Sequence, residues 1–227
     1  MTNISWAFFA VFILVSVFHI FAIALRKEKM RRASKCLVMP LLIAVYIAAG
    51  KRRGFFPIPA LALGWVGDVL LIKIEKKTHF MLGLASFLLG HVFYIIAFMH
   101  LLGFFTGGNA AGSINAAALL IFTPSAAVLG MVVFRLIKPT KEMFIPVILY
   151  MAVLVTMNLL GFQVSLFYPG AAGLLIVSGC FNFIVSDTLL AYYTFRKLKL
   201  LGAVLIMVYY LLAQAEIIMG LLAISPV

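Results

Sequence analysis

Apolar residues run along this chain in long blocks, and polar positions collect in the short gaps between them. Eight blocks are read, at residues 5–25, 36–50, 55–73, 80–102, 115–134, 143–161, 170–194 and 200–223. A helix rises 1.5 Å per residue, so about 20 apolar residues cross the ~30 Å hydrocarbon core of a bilayer. Most blocks meet that length; the second is short, and its borders are the hardest to place. The pattern predicts an all-α bundle of eight transmembrane helices, forming one integral-membrane domain over residues 1–227. The connecting segments are brief, and Phe104-Phe-Thr-Gly-Gly-Asn-Ala-Ala-Gly-Ser113 is the clearest linker. The first block has neither a basic leader before it nor a small-residue cleavage site after it, so Ser5 to Leu25 reads as a retained helix.

Composition agrees with the pattern: 66% of the 227 residues are hydrophobic and only 11% charged. Soluble domains run about 45–50% apolar and ~25% charged. The net charge of +12 raises nucleic acid as a partner. The lysines and arginines, however, fall in the gaps between apolar blocks, which is the signature of loops on the cytoplasmic side, facing anionic headgroups. Arg26 to Lys35 holds six, and Lys73 to Lys77, Arg135 to Lys141 and Arg196 to Lys199 hold three each. Only Lys51-Arg-Arg53 falls on the other side, so both termini are expected outside the cytoplasm. The two cysteines, Cys36 and Cys180, lie in or beside apolar blocks and imply no disulfide framework.

Against this background two residues stand out. Asp68 and Asp187 interrupt otherwise apolar blocks, in a chain with six acidic residues in all. A carboxylate at mid-membrane costs ~2.5–3.5 kcal/mol on insertion scales, so an intramembrane aspartate is read as functional by default. Gly67-Asp-Val-Leu-Leu71 echoes Ser186-Asp-Thr-Leu-Leu190, which suggests a 4+4 parallel repeat with both aspartates in the cytoplasmic half of the membrane. Gly83, Ser86 and Gly90 form a small-residue stripe suited to helix packing. His91 and Tyr94 are neighbours at i, i+3, and Tyr210 and Gln214 at i, i+4. Lys35 is placed to snorkel toward headgroups or to meet a phosphate. His19 and His100 read as structural and His79 as a loop residue, while the roles of Asn182 and Glu216 stay open. No His-x-x-x-His, Cys-x-x-Cys, Gly-x-Ser-x-Gly or phosphate-loop motif occurs, so neither metal nor cofactor is expected. The Tyr-Asp, Gly-x-Gly-Asp and Pro-Ala-Leu pattern of intramembrane aspartyl proteases is poorly met. Counted along the eighth block from Lys199, Gln214 lies ~22 Å deep, beyond both aspartates.

Five stretches together resemble one family. They are Ser34-Lys-Cys-Leu37 with Pro40-Leu-Leu42; Gly67-Asp68 with Leu70-Leu71; and Phe80, Gly83, Ser86-Phe-Leu-Leu-Gly-His91 and Tyr94. The others are Ser186-Asp187 with Leu189-Leu190, and Tyr209-Tyr210 with Ala213-Gln214. In this order they are similar to the YhhN-like lysoplasmalogenases, eight-helix membrane hydrolases of bacteria and animals. The resemblance implies cleavage of the vinyl ether bond of lysoplasmalogens to a fatty aldehyde and a glycerophospho-choline or -ethanolamine. It implies Asp68 and Asp187 as the catalytic pair, and Lys35, His91, Tyr94, Tyr210 and Gln214 as substrate-orienting residues. The partners expected are a lysophospholipid, water and the bilayer, and the expected location is a bacterial plasma membrane. A transporter or proton channel using the same carboxylates is the alternative reading.

Overall fold

The computed structural model describes residues 1–50, 54–105, 141–196 and 200–224, with short stretches between 115 and 135. Most of the fifth expected segment, together with Lys51-Arg-Arg53 and residues 197–199, lies outside the described residues. Among those described there are seven α-helices and no strand. They are α1 (Asn3–Ala24), α2 (Glu28–Ala48), α3 (Pro57–Leu70), α4 (Lys77–Leu101), α5 (Lys141–Phe167), α6 (Ala171–Arg196) and α7 (Leu200–Ala223). A single 3-10 turn, Leu71–Lys73, follows α3.

Five of these helices, α1 and α4 to α7, are long and apolar enough to cross a membrane. Large apolar side chains cover the outside of the bundle, among them Ile4, Leu14, Phe21, Ile145, Leu174 and Leu201. A water-soluble protein rarely exposes such contiguous apolar surface; an integral membrane protein presents it to lipid. The polar residues point the other way, and Asp68, His91, Ser186 and Gln214 are buried.

Polar contacts at the helix ends show that α1 and α2 run antiparallel and that α4 and α5 run parallel. Thr2 Oγ1 donates to the Ala48 carbonyl at 2.8 Å, joining the start of α1 to the end of α2. Tyr168 Oη donates to the Leu101 carbonyl at 3.2 Å and joins the end of α5 to the end of α4. At the opposite end Lys77 pairs with Glu142, so α4 and α5 start together. Among the described residues, the basic segment from Arg26 to Lys35 and the turn at Glu75 meet at that second end, which we call the basic end.

Three local features differ from the sequence expectation. First, α2 begins at Glu28 rather than 36, so Lys29, Arg31, Arg32 and Lys35 are on a helix and not in a loop. Glu28 supports this extra turn by accepting from Arg31 at 2.6 Å and standing 3.9 Å from Arg32, the i, i+3 and i, i+4 pairs that steady a helix start. The Arg31 hydrogen bond also holds the Glu28 carboxyl below its ordinary range. Second, His79 is in the first turn of α4 rather than in a loop. Third, α1 and α2 are joined by a very tight turn: Lys27 N donates to Ala22 O and Arg26 N to Ile23 O, both at 2.9 Å. That double closure needs a left-handed residue, which is glycine in most helices; here it is Arg26, at φ 56°.

Helix packing follows the small residues. A Cβ on Gly90 would stand 3.1 Å from the Ala60 carbonyl oxygen, so the glycine stripe of α4 is where α3 is pressed against it. Ser86 Oγ adds a 2.6 Å hydrogen bond to the Leu63 carbonyl. Gly179 faces the Ala213 carbonyl and Gly220 faces Ile176, which interlocks α6 with α7.

Candidate functional site

The first part of the site is built on a helix defect. Pro40 lies inside α2 and has no N–H, so the Cys36 carbonyl one turn earlier loses its usual donor. The Trp65 indole N–H takes that place at 2.9 Å and ties α3 to α2. Asp68 is three residues beyond Trp65 and Lys35 is next to Cys36, so this one bond aligns the lysine with the aspartate. The Lys35 ammonium stands 3.3 Å from Asp68 Oδ1. Tyr210 on α7 donates to Asp68 Oδ2 at 2.9 Å. Both oxygens of a carboxyl that is only 2% exposed are thereby engaged.

From Tyr210 the network continues. The Gln214 side chain hydrogen-bonds the Tyr210 hydroxyl, and Tyr94 on α4 donates to Gln214 Oε1 at 2.5 Å. Gly64 leaves the space: a Cβ there would meet Gln214 Nε2 at 3.2 Å and the Tyr210 hydroxyl at 3.3 Å. The depth count from sequence put Gln214 beyond the aspartates. It does lie one turn past Tyr210 on an unbroken helix, and the tyrosine spans the difference in depth by reaching Asp68.

Asp187 is held differently. Its Oδ2 accepts a 2.7 Å hydrogen bond from Tyr150 on α5, and His91 Nε2 stands 3.8 Å from the same oxygen. The His91 ring is 3% exposed and is gripped edge-on by Tyr150 (5.5 Å between centroids) and Phe183 (4.9 Å). Among the described residues its Nδ1 has no hydrogen-bond partner, leaving one polar atom of the buried ring available.

Phe183 connects the two halves, since its ring lies 6.0 Å from Tyr210 and 6.2 Å from Tyr94. Among the described residues no hydrogen bond joins the carboxyls to each other. The arrangement is two aspartates with separate partners, separated by aromatic rings. Of the seven residues expected from sequence, Lys35, Asp68, Tyr210, Gln214 and Tyr94 form one connected chain, and His91 and Asp187 form a second group beside it.

Tyr150 escaped sequence reading because a lone tyrosine in an apolar helix also fits a membrane-interface residue. Trp65 escaped because its role depends on Pro40 in another helix. His19, expected to be structural, is fully buried and its Nδ1 lies 2.8 Å from Ser34 Oγ. Asn182 donates to Glu216 at 2.8 Å, a pair between α6 and α7 that, among the described residues, makes no hydrogen bond to either aspartate. Among the described residues no three of His, Cys, Asp and Glu converge as a metal site would require.

In chemical terms the site offers one carboxylate balanced by an ammonium and one carboxyl with neutral partners, both screened from water. A profile described as the YhhN family matches residues 30–221, which covers every residue of both groups. No curated protein and no solved structure matches the chain.

Proposed function

The chain belongs to the YhhN family, and on that premise we propose that it hydrolyses the vinyl ether bond of lysoplasmalogens. The observation that carries this reading is the unequal partnering of two buried aspartates. Vinyl ethers hydrolyse by rate-limiting protonation of the β-carbon, so the reaction needs a neutral acid and a negative group to stabilise the cation that forms.

Asp187 fits the acid. Tyr150 donates to Oδ2, which leaves Oδ1 free to carry the proton, and the tyrosine fixes the direction in which that proton points. Asp68 fits the charged member, because Lys35 balances it and Tyr210 occupies its second oxygen. Proton transfer from Asp187 to the β-carbon turns the vinyl ether into an oxocarbenium ion and leaves Asp187 as a carboxylate. Water adds to the α-carbon and returns its proton to Asp187. The hemiacetal then breaks to the fatty aldehyde and the glycerol hydroxyl of a glycerophospho-alcohol. His91, with its unpartnered Nδ1, is positioned to orient that water, while the Tyr94–Gln214–Tyr210 chain keeps Asp68 aimed. A low-dielectric surround strengthens each of these electrostatic effects.

The test is aldehyde release from lysoplasmenyl-ethanolamine by the purified protein in detergent. Asp68→Asn and Asp187→Asn are expected to fold and to lose turnover. Full activity in either variant defeats the two-aspartate mechanism. Ion or solute flux in liposomes without lipid turnover would favour the transporter reading instead.

A further inference from the structure

A cavity of about 250 Å³ opens at the basic end, lined by neither aspartate but bordering Asp68 through Lys35. Its charged and imidazole wall is formed by His19, Arg26, Glu28, Arg31, Lys35 and Glu75, and the rest is the Tyr193 side chain with aliphatic surface from α1, the segment 71–74, α6 and α7. That volume lies below the ~300–1,000 Å³ of pockets for drug-sized ligands, so it suits a headgroup and not a whole lipid.

The charges are nearly balanced. Three cations face two carboxylates in the wall, and Lys35 also faces the buried Asp68. Such a lining suits a zwitterion better than a free anion, which would select for an excess of positive charge. Arg26 adds a second indication. It closes the α1–α2 turn from a left-handed position that glycine fills more comfortably, and in that position it adds a guanidinium to the cavity wall.

His19 gives the third indication and the most specific one. Ser34 Oγ lies 2.7 Å from the Met30 carbonyl, a helix back-bond that takes the single hydroxyl hydrogen. The contact with His19 therefore has Ser34 Oγ accepting and His19 Nδ1 donating. In the neutral ring this leaves Nε2 as an acceptor, and among the described residues Nε2 has no partner although His19 is fully buried. An unpaired acceptor in a cavity wall calls for an O–H or N–H donor.

We propose that this cavity binds the zwitterionic glycerophospho headgroup of a lysolipid, with His19 Nε2 accepting a hydrogen bond from the free 2-hydroxyl of the glycerol. Arg26, Arg31 and Lys35 face the phosphate, and Glu28 and Glu75 face the ammonium. An acyl group on the 2-position removes the hydroxyl donor, so His19 separates lysolipids from diacyl-type lipids. The assignment rests on the lysoplasmalogen reading for the identity of the lipid.

The experiment measures binding to the full chain in detergent, using a saturated 1-O-alkyl glycerophosphoethanolamine that has no vinyl ether to cleave. Wild type is expected to bind it about tenfold more tightly than its 2-deoxy analogue, the value of one hydrogen bond. His19→Phe is expected to close that gap, and Arg26→Gly to weaken binding while raising the melting temperature. Equal wild-type binding of the two probes overturns the proposal, as does a gap that persists in His19→Phe. The wild-type comparison stands by itself if the variant does not fold. Glycerophosphoethanolamine lacking a chain is expected to bind more weakly; equal binding assigns the cavity to a soluble phosphodiester and overturns the lipid assignment. Because the probe is not turned over, the two readings fail separately. Binding with the 2-hydroxyl gap but no aldehyde release sinks the hydrolase alone, and aldehyde release without the gap sinks the cavity assignment alone.

Discussion

Replacing Lys35 by methionine keeps the apolar stem and removes the ammonium that faces Asp68. At 3.3 Å and an effective dielectric constant of about 20, the attraction lost is ~5 kcal/mol. Part of the carboxylate's stabilisation survives, since Tyr210 still donates to Oδ2. Removing one partner of a buried pair costs about 3–5 kcal/mol, and the remaining tyrosine puts Lys35→Met near ~3 kcal/mol. Asp68→Asn strands the ammonium instead. Lys35 lines the open cavity and is able to turn its amine into it, so that variant is expected to lose only ~1–2 kcal/mol. The double variant Lys35→Met with Asp68→Asn leaves no unpaired charge and is expected within ~1 kcal/mol of wild type. The assay is unfolding of detergent-solubilised protein by sodium dodecyl sulfate, followed by the fluorescence of Trp6 and Trp65. Aldehyde release should be lost in all three, so recovered stability without recovered activity separates the structural role of the pair from its chemical one. A Lys35→Met protein as stable as wild type, or a double variant no more stable than Lys35→Met, refutes the buried pair.

Tyr150→Phe deletes the donor to Asp187 Oδ2 without changing ring packing on His91; kcat is expected to fall about tenfold or more at near-constant KM, measured by steady-state aldehyde release. Trp65→Phe leaves the Cys36 carbonyl without a donor, and a loss of ~1 kcal/mol is expected in the same unfolding assay, together with reduced turnover as Lys35 and Asp68 lose alignment. Gly179→Ala places a Cβ 2.9 Å from the Ala213 carbonyl and 2.7 Å from Ile217. Overpacking of this kind costs ~1–3 kcal/mol; a melting temperature equal to wild type would show that α6 and α7 are not in this close contact.

How far the site was readable depended on how local each signal was. Asp68 and Asp187 declared themselves through cost alone, because a carboxyl in an apolar run has few explanations other than function. His91 with Tyr94, and Tyr210 with Gln214, were readable as helical neighbours. The pairing between helices was not: Tyr94 binds Gln214 and Tyr210 binds Asp68 across the bundle, and no spacing within one helix encodes that. The extra turns of α2 were missed because a run of lysines and arginines looks like a loop until Glu28 is seen to pair with Arg31 on one helical face.

By itself the sequence determined the class of the molecule, since a membrane-spanning helix must satisfy its backbone internally and show apolar side chains to lipid. It also determined which polar residues were too expensive to be incidental. Only the tertiary structure decided which donor meets which oxygen. Tyr150 rather than His91 makes the short contact to Asp187, and among the described cations it is Lys35 that balances Asp68. The physical reason is that burial cost belongs to a residue and can be read from its neighbours in the chain. The compensation for that cost is made between helices, where proline gaps, glycine contacts and side-chain reach set the partners.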